Sequence, residues 1–347
     1  MAKVQSYFEQ FHDAIKMDDE NEILREKRDI LIDKLRAKLK ENFEEPPVFT
    51  SFNKGSYSMD LGTKPIDQDY DIDVGLEFII NINDYPDPVV VKKWVYNALY
   101  GHTDNVKIKK PCVTVQYHLN KEPLYHVDFA VYGSDLYSTD IYLARGKPTS
   151  PDAEKKWEVD DPKGLIKIIR GKYADKDDQK QFRRVIRYLK RWKDINFSSE
   201  GREAPPGIGL TVSANNWFSI SKTLIDPLKL SYEYDDLSAL LNLVNSMISN
   251  FQVVPGVGQE VLYRLYGRVP VQPYSDTFAK MSDIQMTNFK KKLEGLRDVL
   301  TSAKEDVDPV DACKKLQKQF GSDFLIPNIE ETGQKRGPAI ISSSSAA

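Results

Sequence analysis

The chain has 347 residues, enough for about two domains, and 40% of them are hydrophobic, as in an ordinary protein with a packed core. Its 49 Lys and Arg stand against 52 Asp and Glu, which excludes a global electrostatic pull toward nucleic acid or an anionic membrane and leaves any phosphate binding to a local patch. Cys112 and Cys313 lie far apart and lack the CxxC or CxxxH spacing of a zinc site, so two reduced core thiols in a cytoplasmic protein are expected.

Residues 3–43 carry two helical patterns. The opening MAKVQSYFEQFHDAIK has no apolar run behind its first charge, and no stretch of the chain approaches the roughly 20 apolar residues that span a bilayer. Neither secretion nor membrane insertion is expected. The second pattern places Ile23, Leu24, Ile30, Leu31, Leu35 and Leu39 on one stripe, which predicts a long surface helix packed along a domain.

The breaker Glu44-Glu45-Pro46-Pro47 and the short apolar piece Val48-Phe49 lead into Asn53-Lys54-Gly55-Ser56, where the period changes from 3.6 to 2. From Asp71 to Ile82 the apolar Ile72, Val74, Leu76, Phe78 and Ile80 alternate with Asp71, Asp73, Gly75 and Glu77, the pattern of a half-buried strand. A helix opening on Pro88 is predicted over 87–100. Two further strands are predicted over 112–119 and 124–132, joined by the turn Asn120-Lys121-Glu122-Pro123. The region 44–145 thus reads as a small α/β sheet domain. Past residue 160 the helical period returns, over 178–192, 210–224, 237–251, 283–303 and 308–320. The last has Asp308 as N-cap, Pro309 at the first position and Gly321 as its stop. Residues 328–347 hold GQKRGPA and SSSSAA, with too little apolar surface to order themselves, so a flexible tail is expected.

The chemistry concentrates in Asp67-Gln68-Asp69-Tyr70-Asp71-Ile72-Asp73, where carboxylates recur at spacing two. Asp is depleted in strands, and like charges about 6.6 Å apart on one face cost stability unless something positive sits between them. A divalent cation is the simplest compensation. An isolated DxD is more often a solvated sheet edge, but three features favour a site: the Gly-Ser turn upstream, the apolar opposite face, and a third aspartate, Asp128, mid-strand between Val127 and Phe129. Two carboxylates from one strand and a third from a neighbour can hold two Mg²⁺ ions about 3.5–4 Å apart, an arrangement suited to in-line phosphoryl displacement. Asp67 and Asp69 are given no catalytic role. His12, His102, His118 and His126 show no ligand spacing and read as structural, with His126 alternating onto the Asp128 face without an evident partner.

Gly55-Ser56, then Asp71-Ile72-Asp73-Val74, then Val127-Asp128-Phe129 together resemble the DNA-polymerase-β-like nucleotidyltransferases. Within that superfamily the long preceding helix, Lys54-Gly55-Ser56-Tyr57-Ser58-Met59-Asp60, Arg187-Tyr188-Leu189-Lys190-Arg191-Trp192 and the ending KKLQKQFGSDFLI look like the bacterial cGAS/DncV-like nucleotidyltransferases. The resemblance spans about residues 20 to 327 and is strongest at the acidic strands and the RYLKRW helix. It implies an α+β fold: N-terminal helices (1–43) bridging a polymerase-β-like catalytic sheet domain (44–160) and a C-terminal helical domain (161–327), with the tail (328–347) beyond.

The same resemblance implies site roles. Gly55 and Ser56 would grip the donor triphosphate. Asp71 and Asp73 would ligate both Mg²⁺ (or Mn²⁺) ions, and Asp128 would ligate the one that activates the attacking ribose hydroxyl and would accept its proton. Lys190 would lie near the leaving pyrophosphate, with Thr211 or Ser213 as hydroxyl contacts. From the residues alone, the basic face Arg184, Arg187, Lys190 and Arg191 reads more simply as solvated. Met59 stands where some relatives place a base-stacking aromatic, with Tyr57 close by.

Relatives of this kind join two or three NTPs, among them ATP, GTP or pyrimidine NTPs, into a cyclic messenger such as cyclic GMP-AMP. They act in CBASS-type antiphage defence beside a messenger-activated effector. Some are attached through their C-terminal residue, here Ala347, by ubiquitin-like conjugation enzymes. A template-independent RNA or tRNA nucleotidyltransferase and a catalytically silent nucleotide-binding protein are the alternative readings. The balanced charge speaks against the first, with no stable nucleic-acid partner expected, and the intact aspartates speak against the second.

Overall fold

The computed structural model describes residues 3–17, 20–66, 70–119, 122–134, 139–198, 203–229, 231–256 and 261–328. Asp67, Asp69, Asn120, Lys121 and the tail 329–347, with Ala347, lie outside the described residues.

Helix α1 (Gln5–Ile15) and helix α2 (Glu20–Asn42) belong to different layers. Phe8, Phe11 and Ile15 of α1 are buried among the C-terminal helices, whereas Leu31, Leu35 and Leu39 of α2 are buried against the sheet. The two helices thus pack on different cores, α1 on the helical one and α2 on the sheet. The stripe on α2 is narrower than its pattern suggests, because Ile23 and Ile30 are exposed and Ile32 takes a core place.

The sheet follows as β1 (Phe49–Asn53), the single-turn helix α3 (Gly55–Ser58), β2 (Tyr70–Asn81), helix α4 (Val89–Leu99), β3 (Asn105–Ile108), β4 (Val113–Leu119), β5 (Glu122–Ser134), β6 (Ile141–Ala144) and β7 (Trp157–Asp160). Five strands run in the order β1-β2-β5-β4-β3, while β6 pairs with β5 and β7. The central β2 and β5 are parallel, and the other pairings are antiparallel. Alternation buries Ile72, Val74, Leu76, Phe78, Val127, Phe129 and Val131 against α2 and α4. It turns Asp71, Asp73 and Asp128 to the opposite face.

Beyond the sheet come α5 (Pro162–Arg170), α6 (Lys176–Asn196), α7 (Gly207–Trp217), a hairpin of β8 (Lys222–Asp226) and β9 (Ser231–Tyr234), α8 (Asp236–Ser249), a hairpin of β10 (Gln252–Pro255) and β11 (Val261–Arg264), α9 (Asp283–Glu305) and α10 (Pro309–Phe320). Their core holds Phe182, Tyr188, Trp192, Phe289 and Phe320, side chains whose burial is worth about 1.5–3 kcal/mol each. α10 is capped as its sequence predicts, with the Asp308 carboxylate accepting from the Val310 amide and Gly321 at φ +83°. The helix predicted over 210–224 stops at Trp217. The Gln181 side chain takes both backbone groups of Ser221, at 2.8 and 3.0 Å, and Leu224 enters β8 instead. Among the described residues no helix is long and apolar enough to cross a membrane.

Candidate functional site

Parallel pairing of β2 with β5 sets Asp71 beside His126 and Asp73 beside Asp128. Ligand atoms of Asp71, His126 and Asp128 lie within 4.8 Å of one another, with His126 Nε2 3.3 Å from Asp71 Oδ1. His126 thus has a partner, contrary to the reading from sequence. Its alternation onto the Asp128 face was the available signal. Asp128 is oriented from β4, where the Thr114 hydroxyl donates to its Oδ1, and Lys109 Nζ lies 3.8 Å away.

The Asp73 carboxylate turns toward the Gly55 turn. A Cβ built on Gly55 would fall 2.0 Å from Asp73 Oδ2, and Gly55 has φ +66°, so sterics and backbone both require glycine there. The Lys54 amide donates to the Asp73 carbonyl at 2.9 Å. Lys54 Nζ donates to Tyr132 Oη at 2.5 Å and to Asp160 Oδ2 at 3.3 Å, fixing the entry to the turn.

These carboxylates are electrostatically costly. Burial, then Asp73 and also Asp128, pushes the Asp71 carboxyl up to about 7, and burial raises Asp73 as well. A cluster of oxygen donors that resists ionising is the donor set a hard divalent cation would satisfy, and the adjacent imidazole also suits Mn²⁺. Asp71, Asp128 and His126 would hold such an ion, with Asp73 as the neighbouring carboxylate.

A cleft of about 720 Å³ opens in front of β2 and is lined by Gly55, Ser56, Asp71, Asp73, Lys190 and Thr211. Six residues singled out from the sequence therefore share one cavity. Asp128 stands behind it in register with Asp73, and Ser213 is buried away from it. Thr211 is buried, and its hydroxyl donates to the Gly207 carbonyl at 3.1 Å. Met59 is buried at the cleft wall.

The basic face of α6 is not solvated. Arg187, Lys190 and Arg191 are buried and donate to the carbonyls that follow the Gly-Ser turn. Arg187 reaches Asp60 (2.5 Å) and Gly62 (3.0 Å), Lys190 reaches Leu61 (2.9 Å), and Arg191 reaches Lys64 (2.9 Å). Burial, then Arg187 and Lys193, lowers Lys190 to about 7. A triphosphate before Lys190 would favour its charged form, as a cation between the carboxylates would favour theirs.

The family model "Cyclic GMP-AMP synthase DncV-like, nucleotidyltransferase domain" matches residues 50–132, the stretch that carries the Gly-Ser turn and all three aspartates. A cyclic GMP-AMP synthase of Escherichia albertii is 28% identical over 195 residues, covering 54% of this chain and 40% of that protein. The chain thus matches less than half the length of this relative.

The fold is similar to that of the Vibrio cholerae DncV cyclic AMP-GMP synthase (TM-score 0.65, 16% identity, 92% of this chain and 97% of that one). It is also similar to that of the Bradyrhizobium diazoefficiens CD-NTase CdnG in complex with GTP (TM-score 0.65, 15% identity, 93% and 96%). The Vibrio enzyme in complex with linear intermediate 5′ pppA(3′,5′)pG superposes with TM-score 0.64 at 17% identity, over 92% and 96%.

Proposed function

We propose that this chain, a bacterial cGAS/DncV-like nucleotidyltransferase, joins NTPs into a cyclic oligonucleotide messenger by metal-dependent nucleotidyl transfer with release of pyrophosphate. The observation that carries this reading is the convergence of Gly55, Ser56, Asp71, Asp73, Lys190 and Thr211 on one cleft, with Asp128 in register behind Asp73.

In this reading Gly55 and Ser56 receive the donor triphosphate, since only glycine lets the chain pass that close to Asp73. Lys190 offers an ammonium to the departing pyrophosphate. Leu61 takes one of its three donors. Asp128, held by Thr114 and flanked by Lys109, accepts the proton of the attacking ribose hydroxyl. Bound Mg²⁺ or Mn²⁺ would acidify that hydroxyl and neutralise charge on the triphosphate. Ring closure would require the linear triphosphate intermediate to turn over in the cleft before a second in-line attack.

Further parts of the proposal are a cytoplasmic role in CBASS-type antiphage defence, an effector switched on by the product, and conjugation through Ala347. The division at 1–43, 44–160, 161–327 and 328–347 is likewise proposed, supported by the separate helix and sheet cores.

The test is to incubate the full chain with labelled NTPs and Mg²⁺ or Mn²⁺, then treat with phosphatase. A small phosphatase-resistant product that disappears in Asp71→Ala, Asp73→Ala and Asp128→Ala supports the reading. A ladder of lengths indicates a polymerase, and failure to release pyrophosphate sinks the enzymatic reading.

A further inference from the structure

The turn that follows β1 has two sides. Gly55, Ser56, Met59 and Thr63 line the nucleotide cleft, while Tyr57, Ser58, Asp60 and Gly62 line a second cavity of about 790 Å³. The segment 55–63 is therefore a thin partition between two cavities, and Met17 borders both.

The second cavity is strongly basic. Seven Lys and Arg side chains line it against three carboxylates, Glu9, Asp13 and Asp60. Arg184 is spent on a buried carboxylate, gripping Asp236 with two bonds of 2.6 and 2.8 Å, and Arg187 on the carbonyls of Asp60 and Gly62. Two guanidiniums, those of Arg170 and Arg183, converge on a single oxygen, Asp60 Oδ2, each at 3.2 Å. Arg183 Nε is buried without an acceptor among the described residues. Asp60 itself is a non-glycine residue at φ +55°, a conformation that costs about 1 kcal/mol and persists only where neighbours hold it. Here Arg187 holds it through the carbonyls of Asp60 and Gly62.

One carboxylate thus stands where the surrounding donors could satisfy a larger anion. Guanidiniums in a fork recognise phosphate and carboxylate, and the volume suits a small molecule. We propose that this cavity is a regulatory site for a small polyanion bearing phosphate or carboxylate groups, which competes with Asp60 for Arg170 and Arg183 and so resets the Gly55–Ser58 turn at the edge of the nucleotide cleft. The regulatory half rests on the reading of Gly55 and Ser56 as the triphosphate turn; the binding half does not.

Isothermal titration of the full chain in chelator, at ionic strength fixed with chloride, tests binding apart from catalysis. Inorganic phosphate serves as probe in one arm and tricarballylate in the other, which separates the two anion chemistries. Saturable binding of at least one is expected. It should be weakened about tenfold by Arg170→Gln or Arg183→Gln, the loss of one charge-assisted bond. Asp60→Asn, which removes the internal competitor, should tighten it, and Asp71→Asn should leave it unchanged. Arg170 is more than half exposed, so its variant tests the site without threatening the fold. No saturable binding, or binding that ignores all three substitutions at Asp60, Arg170 and Arg183, overturns the proposal.

With NTPs present, the bound probe should shift the KM for NTP in the wild type and not in Arg170→Gln. Binding with an unmoved KM overturns the regulatory half. A protein that binds the probe but never releases pyrophosphate would fail the proposed activity while keeping the site.

Discussion

Replacing Asp71 by Asn should make the metal-free protein more stable above neutral pH while abolishing nucleotidyl transfer. The folded chain holds the Asp71 carboxyl up to about 7, against an ordinary value of 3.8, through burial first and then the Asp73 charge. Across that window the folded state keeps a proton that the unfolded chain has released. Stability therefore falls as pH climbs from about 4 to 7 and stays low above it. The whole displacement would be worth about 4 kcal/mol, but half of this side chain is exposed, and solvent screening reduces the figure to about 1–2 kcal/mol.

Asn cannot ionise, so the variant escapes this loss and should melt about 2–4 °C above the wild type at pH 8 in chelator. The gap should narrow toward pH 4–5. Taking the difference between the two proteins cancels other groups that titrate nearby, such as His12, lowered to about 4 chiefly by burial, and Lys190. Adding Mg²⁺ should raise the melting temperature of the wild type only, reversing the order. Scanning calorimetry at several pH values reads all of this. A wild type that melts at or above the variant at pH 8 without metal, or a gap independent of pH, refutes the like-charge account of the cluster.

Three other substitutions follow from the geometry. Gly55→Ala places a methyl 2.0 Å from Asp73 Oδ2 at φ +66°. It should abolish transfer and cost about 1–2 kcal/mol, read by pyrophosphate release and urea unfolding; an active, equally stable variant would remove the steric argument. Lys92 is wholly buried and donates to the carbonyls of Lys109, Lys110 and Gly146 at 2.5, 3.0 and 2.7 Å. Lys92→Met should destabilise by about 3 kcal/mol in chemical denaturation, because it strands these acceptors, and a loss below 1 kcal/mol would count against that role. Arg184→Met leaves the fully buried Asp236 with Tyr188 and Gln181 but no cation, at an expected cost of about 3–5 kcal/mol that the same denaturation series would measure.

The acidic site was legible because strand periodicity is local. Apolar residues at every second position of 72–80 dictate that Asp71 and Asp73 share the other face, whatever the sheet order. What was not legible is pairing. Nothing in the sequence says that β2 runs parallel beside β5, yet that register alone puts Asp73 beside Asp128 and Asp71 beside His126. The hairpins β8–β9 and β10–β11 leave no signature in the sequence for a related reason, since strands of four or five residues are too short to show a period. The helical pattern over 210–224 runs past the end of α7 at Trp217 because the chain beyond it is held from another helix, by the Gln181 side chain on the backbone of Ser221, a contact no local residue signals.

The α6 face shows most clearly how tertiary structure overrides a local reading. Four basic residues in eight describe a solvated helix surface. Three of them are buried because their acceptors are main-chain carbonyls at 60, 61, 62 and 64, more than 120 residues earlier in the chain. Those carbonyls have no regular secondary-structure partner, as the segment leaves α3 through a left-handed residue at Asp60. Each buried cation thus satisfies a carbonyl that would otherwise be stranded, and each carbonyl makes burial of a cation tolerable. The consequence is mechanical. The turn that packs Gly55 against Asp73 is tied on its far side to the helical core, so a shift of α6 relative to the sheet would pull on the Gly55 edge of the cleft.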